Sequence, residues 1–316
     1  SRFKPIVLLG SGGPLVEKIQ ESGIELHILP LDASIGDTRK DSLGIGSLWQ
    51  LGRLWNVFSY TFALSRWIRE NKIDLVHTNS LKADVLGGLA ARMAQVPVIW
   101  HVRDRIADDY LPATATYVFR LMSRIIPNFV IANSASTLSC LKLESEKSST
   151  VYSGVDLRRR AEVVHDGIGQ EPFEKKMSLD TDCRSFRRIG LIGRISPWKG
   201  QHVFIKAAQL IAKEFPDVKF CIVGAALFNE HQYEQEIREL VKTLNLESSV
   251  EFLGFRDDIP KIVESLDIVV HASTTGEPFG QVIVEGMASG KPVVATNGGG
   301  VPEIVIHEVT GYLIPM

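Results

Sequence analysis

The 316-residue sequence predicts an α/β chain of two doubly wound parallel sheets facing a cleft. Three observations predict it. Short apolar runs alternate with helical segments, the pattern of a parallel sheet covered on both faces. The alternation lapses over an irregular polar stretch near 147–188 and then restarts. The chemically unusual residues fall just after the apolar runs, where ligands bind in open parallel sheets.

The first series begins with PIVLL at 5–9, then a Gly/Ser turn and a helix entered at Pro14. Proline suits a first helical turn, where its missing N–H costs no hydrogen bond. IELHILP at 24–30 follows, then a Gly-rich stretch over 31–51 and a helix carrying Trp55, Phe58, Phe62 and Trp67. DLVHTN at 74–79, a helix near 82–94, PVIWHV at 97–102, NFVIANS at 128–134 and a polar helix close the series. The second series opens with RIGLIGRIS at 188–196. Its helix from Lys199 places Val203, Ala207, Leu210 and Ile211 three and four apart, on one face. VKFCIVG, a charged helix near 230–244, VEFLGF, DIVVHAS and PVVATN continue the alternation. The chain thus divides into an N-terminal domain with linker, 1–176, and a C-terminal domain, 177–316.

Composition narrows the function classes. Hydrophobic residues make up 45% and charged residues 23%, values of a soluble globular enzyme. A formal net charge of −2 gives no global basic field for nucleic acid. The charge is uneven, +3 over 1–176 and −5 over 177–316. Arg103 with Arg105, Arg120 with Arg124, and Arg158-Arg159-Arg160 are solvated surface or an attraction for an anionic acceptor or membrane. Three scattered cysteines, Cys140, Cys183 and Cys221, form neither a disulfide framework nor a metal motif, which suits a reducing compartment. No apolar run reaches the roughly 18–20 residues of a spanning helix. A cytoplasmic protein is expected, with peripheral contact at the inner face of the membrane left open.

Four constellations carry candidate chemistry. Gly193-Arg194 and Lys199-Gly200 join a strand to a helix, where free N–H groups and two cations would hold a diphosphate without a metal. An ordinary exposed turn is the alternative. Thr274 to Gly280 follows DIVVHAS and offers Glu277, with Glu285 on the succeeding helix. Carboxylates accept from sugar or ribose hydroxyls, or they merely cap a helix. Asn297-Gly298-Gly299-Gly300 permits close backbone approach to a ligand, or is a flexible surface turn. His101, ending VIWHV, is a ligand contact or a structural histidine; His165-Asp166-Gly167 is a weaker candidate. Gly10-Ser11-Gly12-Gly13 lacks dinucleotide spacing, and no HExxH, CxxC, GxSxG or Walker pattern occurs. No metal site is therefore expected.

GRISPWKG at 193–200, FLGF at 252–255, GEPFGQVIVEGMASGKPVVAT at 276–296, GGGVPEI at 298–304 and the closing TGYLIP resemble the family 4 glycosyltransferases. Glu277 and Glu285 keep that family's paired-glutamate spacing. The first half is similar more loosely, through GGPLVEKI, GIELHILP, DLVHTN, VIWHVRD and VIANS. The resemblance implies two Rossmann-like domains of the GT-B type, shortened at both ends. It implies that Arg194 and Lys199 bind the donor diphosphate. Glu277 holds the transferred sugar with the backbone of Phe279 and Gly280, and Glu285 binds the ribose. Phe255 and Arg256 meet the base, and His101 approaches the sugar from the first domain. The family's Asn-Gly turn has two competing places, Ser153-Gly154 and Asp166-Gly167.

The implied reaction is retaining and metal-independent, with no cofactor and no protein nucleophile. The leaving diphosphate takes the acceptor's proton, while Arg194, Lys199 and helix N–H groups stabilise its charge. The expected donor is a UDP-sugar, UDP-glucose first, ahead of UDP-N-acetylglucosamine and GDP-mannose. The expected acceptor is a saccharide or lipid-linked saccharide. A nucleotide-sugar epimerase of the same fold and a non-catalytic sugar-nucleotide-binding remnant are the alternatives.

Overall fold

A computed structural model of the chain describes residues 3–32, 49–155, 187–227 and 230–316, with the backbone alone over 49–54. Arg158-Arg159-Arg160, Cys183, the His165-Asp166-Gly167 turn and the expected domain boundary after residue 176 lie outside them. Two compact units are present. One comprises Ser1–Ala132 with Leu138–Ser149, the other Asn133–Thr137 with Thr150–Met316.

The first unit carries β1 (Ile6–Leu9), α1 (Pro14–Glu21), β2 (Glu25–Ile28) and α2 (Trp49–Glu70). It continues through β3 (Val76–Thr78), α3 (Leu81–Ala94), β4 (Val98–Val102), α4 (Ala113–Ile125) and β5 (Phe129–Ala132). The helix α5 (Ala135–Leu141) and strand β6 (Ser148–Thr150) straddle the division between the units. β1 pairs in parallel with β2, and a second sheet runs β3-β4-β5-β6. Period-two alternation sets the packing: Val98, Trp100 and Val102 are fully buried on one face of β4, against Phe119, Val130 and Leu141. On α2 the aromatic residues divide. Trp67 packs with Leu64, Ile68 and Leu8, whereas Trp55, Phe58 and Phe62 are exposed.

The helix α4 lies between the runs PVIWHV and NFVIANS and was not among the expected elements. Its sequence, ATATYVFRLMSRI, is rich in β-branched and aromatic residues of modest helix propensity. Burial of Thr116, Phe119 and Ser123 along one side, 3 and 4 residues apart, supplies what propensity does not. Arg120 reinforces the same side by donating to the carbonyls of Ile106 and Cys140.

The second unit is one parallel six-stranded sheet in the order β12-β11-β10-β7-β8-β9. Its strands are β7 (Arg188–Ile192), β8 (Lys219–Val223), β9 (Val250–Gly254), β10 (Ile268–His271), β11 (Val293–Thr296) and β12 (Tyr312–Ile314). The helices are α6 (Gln201–Glu214), α7 (His231–Thr243), α8 (Ile259–Ser265) and α9 (Gln281–Ala288). β8 shows the double winding in one strand. Phe220 and Ile222 join a core with Phe204, Ile205, Ile237 and Val241, while Cys221 and Val223 join another with Val263, Val269 and Ile283. A strand buried on both faces reads as a continuous apolar run, as KFCIV does. The helix expected from Lys199 instead begins at Gln201. A 3-10 turn over Pro197–Lys199 and the left-handed Gly200, φ 72°, precede it.

Candidate functional site

The carboxyl ends of β7, β10 and β11 converge on Glu277. This residue lies in the loop between β10 and α9, and its own backbone is fixed first. The Glu277 carbonyl accepts from Gly300 N–H at 2.8 Å, and residue 277 forms an isolated parallel bridge with Gly299. Gly299 has φ 64°, and a Cβ there would stand 1.9 Å from the Glu277 carbonyl oxygen. Gly300 is crowded in the same way by the Pro278 carbonyl. In the Asn297–Gly300 turn, Gly299 and Gly300 are crowded by backbone of the chain itself. The peptide of Glu277 approaches Gly299, and that of Pro278 approaches Gly300.

The second loop meets the first through another glycine. A Cβ on Gly200 would lie 1.8 Å from the Ala272 carbonyl oxygen, and Thr274 N–H donates to the Trp198 carbonyl at 2.8 Å. The turn that carries Lys199 is thereby pressed against the end of β10. Lys199 Nζ donates to both Glu277 oxygens, at 2.9 Å and 2.8 Å, and lies over the Trp198 ring. Both side chains are largely buried. Burial pushes the Glu277 carboxyl upward. The hydrogen bond from His271 and the charge of Lys199 outweigh it and hold the group at about 2. Glu277 is therefore a carboxylate throughout the working pH range.

Arg194 follows β7 and pairs with Glu230 at 3.6 Å, while Ser196 Oγ donates to the other Glu230 oxygen at 2.8 Å. The buried Gln201 spans the turn, donating to the Arg194 carbonyl and accepting from Ser196 N–H. Glycine is required here too, since a Cβ on Gly224 would stand 2.1 Å from the Gly193 carbonyl. Both expected diphosphate cations thus sit on rigid turns, each facing a carboxylate. Neither cation is idle: Arg194 is paired with Glu230 and Lys199 with Glu277.

The remaining expected residues of this unit take diverse positions. Gly280 is left-handed, φ 108°, and opens α9. Phe279 is buried beside the Tyr152 ring, so only its backbone is offered. The Pro278 carbonyl before it accepts from Ser134 Oγ at 2.6 Å and Thr137 Oγ1 at 3.1 Å. Glu285 sits half-buried on α9, its carboxyl raised by burial and partly relieved by Gln281. Phe255, just past β9, is 69% exposed. Arg256 beside it grips Asp258 with two hydrogen bonds, at 2.8 Å and 2.7 Å.

His101 stands in the first unit, at the penultimate position of β4. Its ring stacks on His77 with centroids 5.5 Å apart and planes 4° from parallel. Its Nε2 is buried without a hydrogen-bond partner. Burial, His77 and Arg103 all hold the imidazole below its ordinary range, which favours the neutral ring.

Sequence reasoning missed the residues that support Glu277: His271, Ser273 and Thr296 were read only as strand ends. Their signal was a histidine closing an otherwise apolar strand, two residues before a serine. Glu230 was passed over as one acid on a charged helix.

The model of glycosyl transferases group 1 matches residues 185–316, and that of glycosyltransferase family 4 matches residues 15–159. The Anabaena protein HepE, solved in complex with UDP and glucose, is 31% identical with a TM-score of 0.77, covering 98% of this chain and 77% of that one. The chain belongs to the family 4 glycosyltransferases. Its two doubly wound units are the Rossmann-like domains of the GT-B class. An Escherichia coli UDP-Gal:alpha-D-GlcNAc-diphosphoundecaprenol alpha-1,3-galactosyltransferase is 30% identical over 270 residues, 80% of this chain and 65% of that protein. A Mycobacterium tuberculosis phosphatidyl-myo-inositol mannosyltransferase is 24% identical over 257 residues, 80% of this chain and 62% of that protein. This family member thus spans less than two thirds of the length of these curated relatives. Among the described residues, no helix is long and apolar enough to cross a membrane.

Proposed function

We propose that the chain carries the two domains, 1–176 and 177–316, of a retaining, metal-independent glycosyltransferase. It moves a hexose from a UDP-sugar, UDP-glucose first, to a saccharide or lipid-linked saccharide. The observation that carries the reading is the Lys199–Glu277 pair, at 2.8 Å and 2.9 Å, held in place by turns in which Gly200 and Gly299 leave no room for a side chain. A cation and a carboxylate fixed side by side at a sheet's carboxyl edge match a phosphate joined to a sugar. HepE, with crystal structures in complex with UDP and with UDP-glucose, supports the choice of base and donor.

In this reading Arg194 and Lys199 take the diphosphate, and Glu277 accepts from sugar hydroxyls beside the backbone of Phe279 and Gly280. Glu285 holds the ribose, the backbone at Phe255 and Arg256 meets the uracil, and His101 approaches the sugar. The bond from the anomeric carbon to the diphosphate breaks, and the acceptor oxygen bonds on the same face. Its proton passes to the leaving phosphate oxygen. Arg194 and Lys199 stabilise the negative charge that develops there. A cytoplasmic enzyme working at the inner face of the membrane accords with lipid-linked acceptors such as the one named for the Escherichia coli relative.

Calorimetry of the full chain against UDP-, GDP- and ADP-sugars in chelator tests the donor. Saturable binding of UDP-glucose, with weaker binding of the GDP- and ADP-sugars, is expected. Saturable binding to none of them sinks the reading.

A further inference from the structure

Glu277 has a second set of partners behind Lys199. His271 closes β10, and its strand neighbour Ala295 is followed by Thr296 at the end of β11. His271, Ser273 and Thr296 are all buried. His271 Nε2 lies 3.3 Å from Glu277 Oε2 and 3.0 Å from Ser273 Oγ. Ser273 Oγ is also 3.0 Å from Glu277 Oε2. On the other side of the ring, Nδ1 lies 3.3 Å from Thr296 Oγ1, which itself donates to the Ser273 carbonyl at 2.8 Å.

Counting hydrogens decides the state of the ring. A carbonyl only accepts, so the Thr296 hydroxyl hydrogen is committed to Ser273 O. Thr296 Oγ1 can then only accept from His271, which places a hydrogen on Nδ1. Both Glu277 oxygens already accept from the Lys199 ammonium, so the group is a carboxylate and accepts only. A bare Nε2 would set two lone pairs against each other and divert the single Ser273 hydrogen away from the carboxylate. When Nε2 also carries a hydrogen, no contact sets two bare lone pairs against each other. Ser273 then accepts from the ring and donates to Glu277.

That arrangement matters because Lys199 has two tasks. On the donor-site reading, its ammonium turns toward the diphosphate when the nucleotide binds. A buried carboxylate stripped of its cation is strongly destabilised. We propose that His271 is a positioning residue, a buried imidazolium that keeps Glu277 ionised and aimed at the sugar after Lys199 has turned to the diphosphate. The inference rests on the donor-site reading, and adds to it a counterion that never leaves. One cation is shared with the ligand and the other belongs to the site.

Long-range proton–nitrogen NMR of the full chain, labelled at histidine and assigned through His271→Gln, tests this. Both ring nitrogens of His271 are expected to be protonated at neutral pH, and to remain so with saturating UDP. In the conservative variant Thr296→Val, Nδ1 loses its acceptor, and the ring is expected to give up one hydrogen. His271→Gln is expected to retain UDP affinity while turnover of UDP-glucose falls about 100-fold, the scale set by ångström-level misplacement. Three results overturn the inference alone: a singly protonated wild-type ring with UDP bound, a Thr296→Val ring indistinguishable from wild type, or equal loss of UDP affinity and turnover in His271→Gln. Failure of the wild-type chain to bind UDP overturns the donor-site reading and this inference together.

Discussion

Lys199 Nζ reaches both oxygens of Glu277 across 78 residues of sequence, at 2.9 Å and 2.8 Å. The pair is not symmetric in its supports. Glu277 has His271 and Ser273 in addition, and Lys199 has the Trp198 ring. Removing each partner therefore has a different result. Lys199→Ala leaves a buried carboxylate with two remaining donors, and is expected to lower stability by up to about 3 kcal/mol. It also removes a phosphate ligand, so UDP binding weakens at least tenfold. Glu277→Ala frees Lys199, so UDP binding is retained or improved while sugar transfer collapses. Denaturant melts, UDP calorimetry and turnover, compared across the two variants, check this. Equal losses of binding in both would contradict the division of labour.

Gly299→Ala tests the backbone directly. Its φ of 64° is unfavourable for alanine, and the new Cβ would stand 1.9 Å from the Glu277 carbonyl. The strained dihedral alone costs about 1–2 kcal/mol. The contact forces the donor loop itself to move. UDP-glucose binding is expected to be lost even where the chain remains folded by circular dichroism. Gly290→Ala is the control. That residue is also left-handed, φ 65°, but a Cβ there meets nothing within 4 Å, so it pays the dihedral cost without moving Glu277.

The stacked imidazoles in the first unit give a third expectation. His101 is held below its ordinary range by burial first, and then by His77 and Arg103. His77→Ala removes the second of these influences and leaves the first. NMR titration is expected to show the His101 midpoint moving up toward the ordinary histidine value without reaching it. Full recovery would assign the whole depression to His77.

These residues also show what was legible in the sequence and what was not. The strands were legible because fully buried parallel strands such as Lys219–Val223 are written as unbroken apolar runs. Arg194, Lys199 and Glu277 were legible because glycines flank them immediately after such runs. The helix Ala113–Ile125 was not, since Thr114, Thr116, Tyr117 and Val118 carry little helical preference, and the segment is decided by burial of Thr116, Phe119 and Ser123. His271 escaped notice for a related reason. Nothing local distinguishes a histidine that ends a strand from one that bonds a carboxylate six residues on. Its partners Thr296 and Glu277 are brought to it by sheet register and by the Gly299 turn.

Asp84 gives the first unit a pH dependence of its own. It lies in the first turn of the helix Leu81–Ala94 and is fully buried. Thr78 donates to one of its oxygens at 2.5 Å, and the other oxygen has no partner. Burial raises its carboxyl from 3.8 to about 7, with Thr78 opposing the shift and Asp104 adding to it. The folded chain therefore binds a proton more tightly than the unfolded chain between roughly pH 4 and pH 7. The stability this proton contributes is fully present below about pH 4 and is lost as the pH rises through about 7. The loss is on the order of 2–4 kcal/mol. Asp84→Asn keeps an acceptor for Thr78 and cannot ionise. Urea melts at pH 5 and pH 8 are expected to show wild type weakening with rising pH, the variant weakening less, and the variant the more stable of the two at pH 8. Parallel curves for the two proteins would mean that Asp84 carries no charge penalty in the fold.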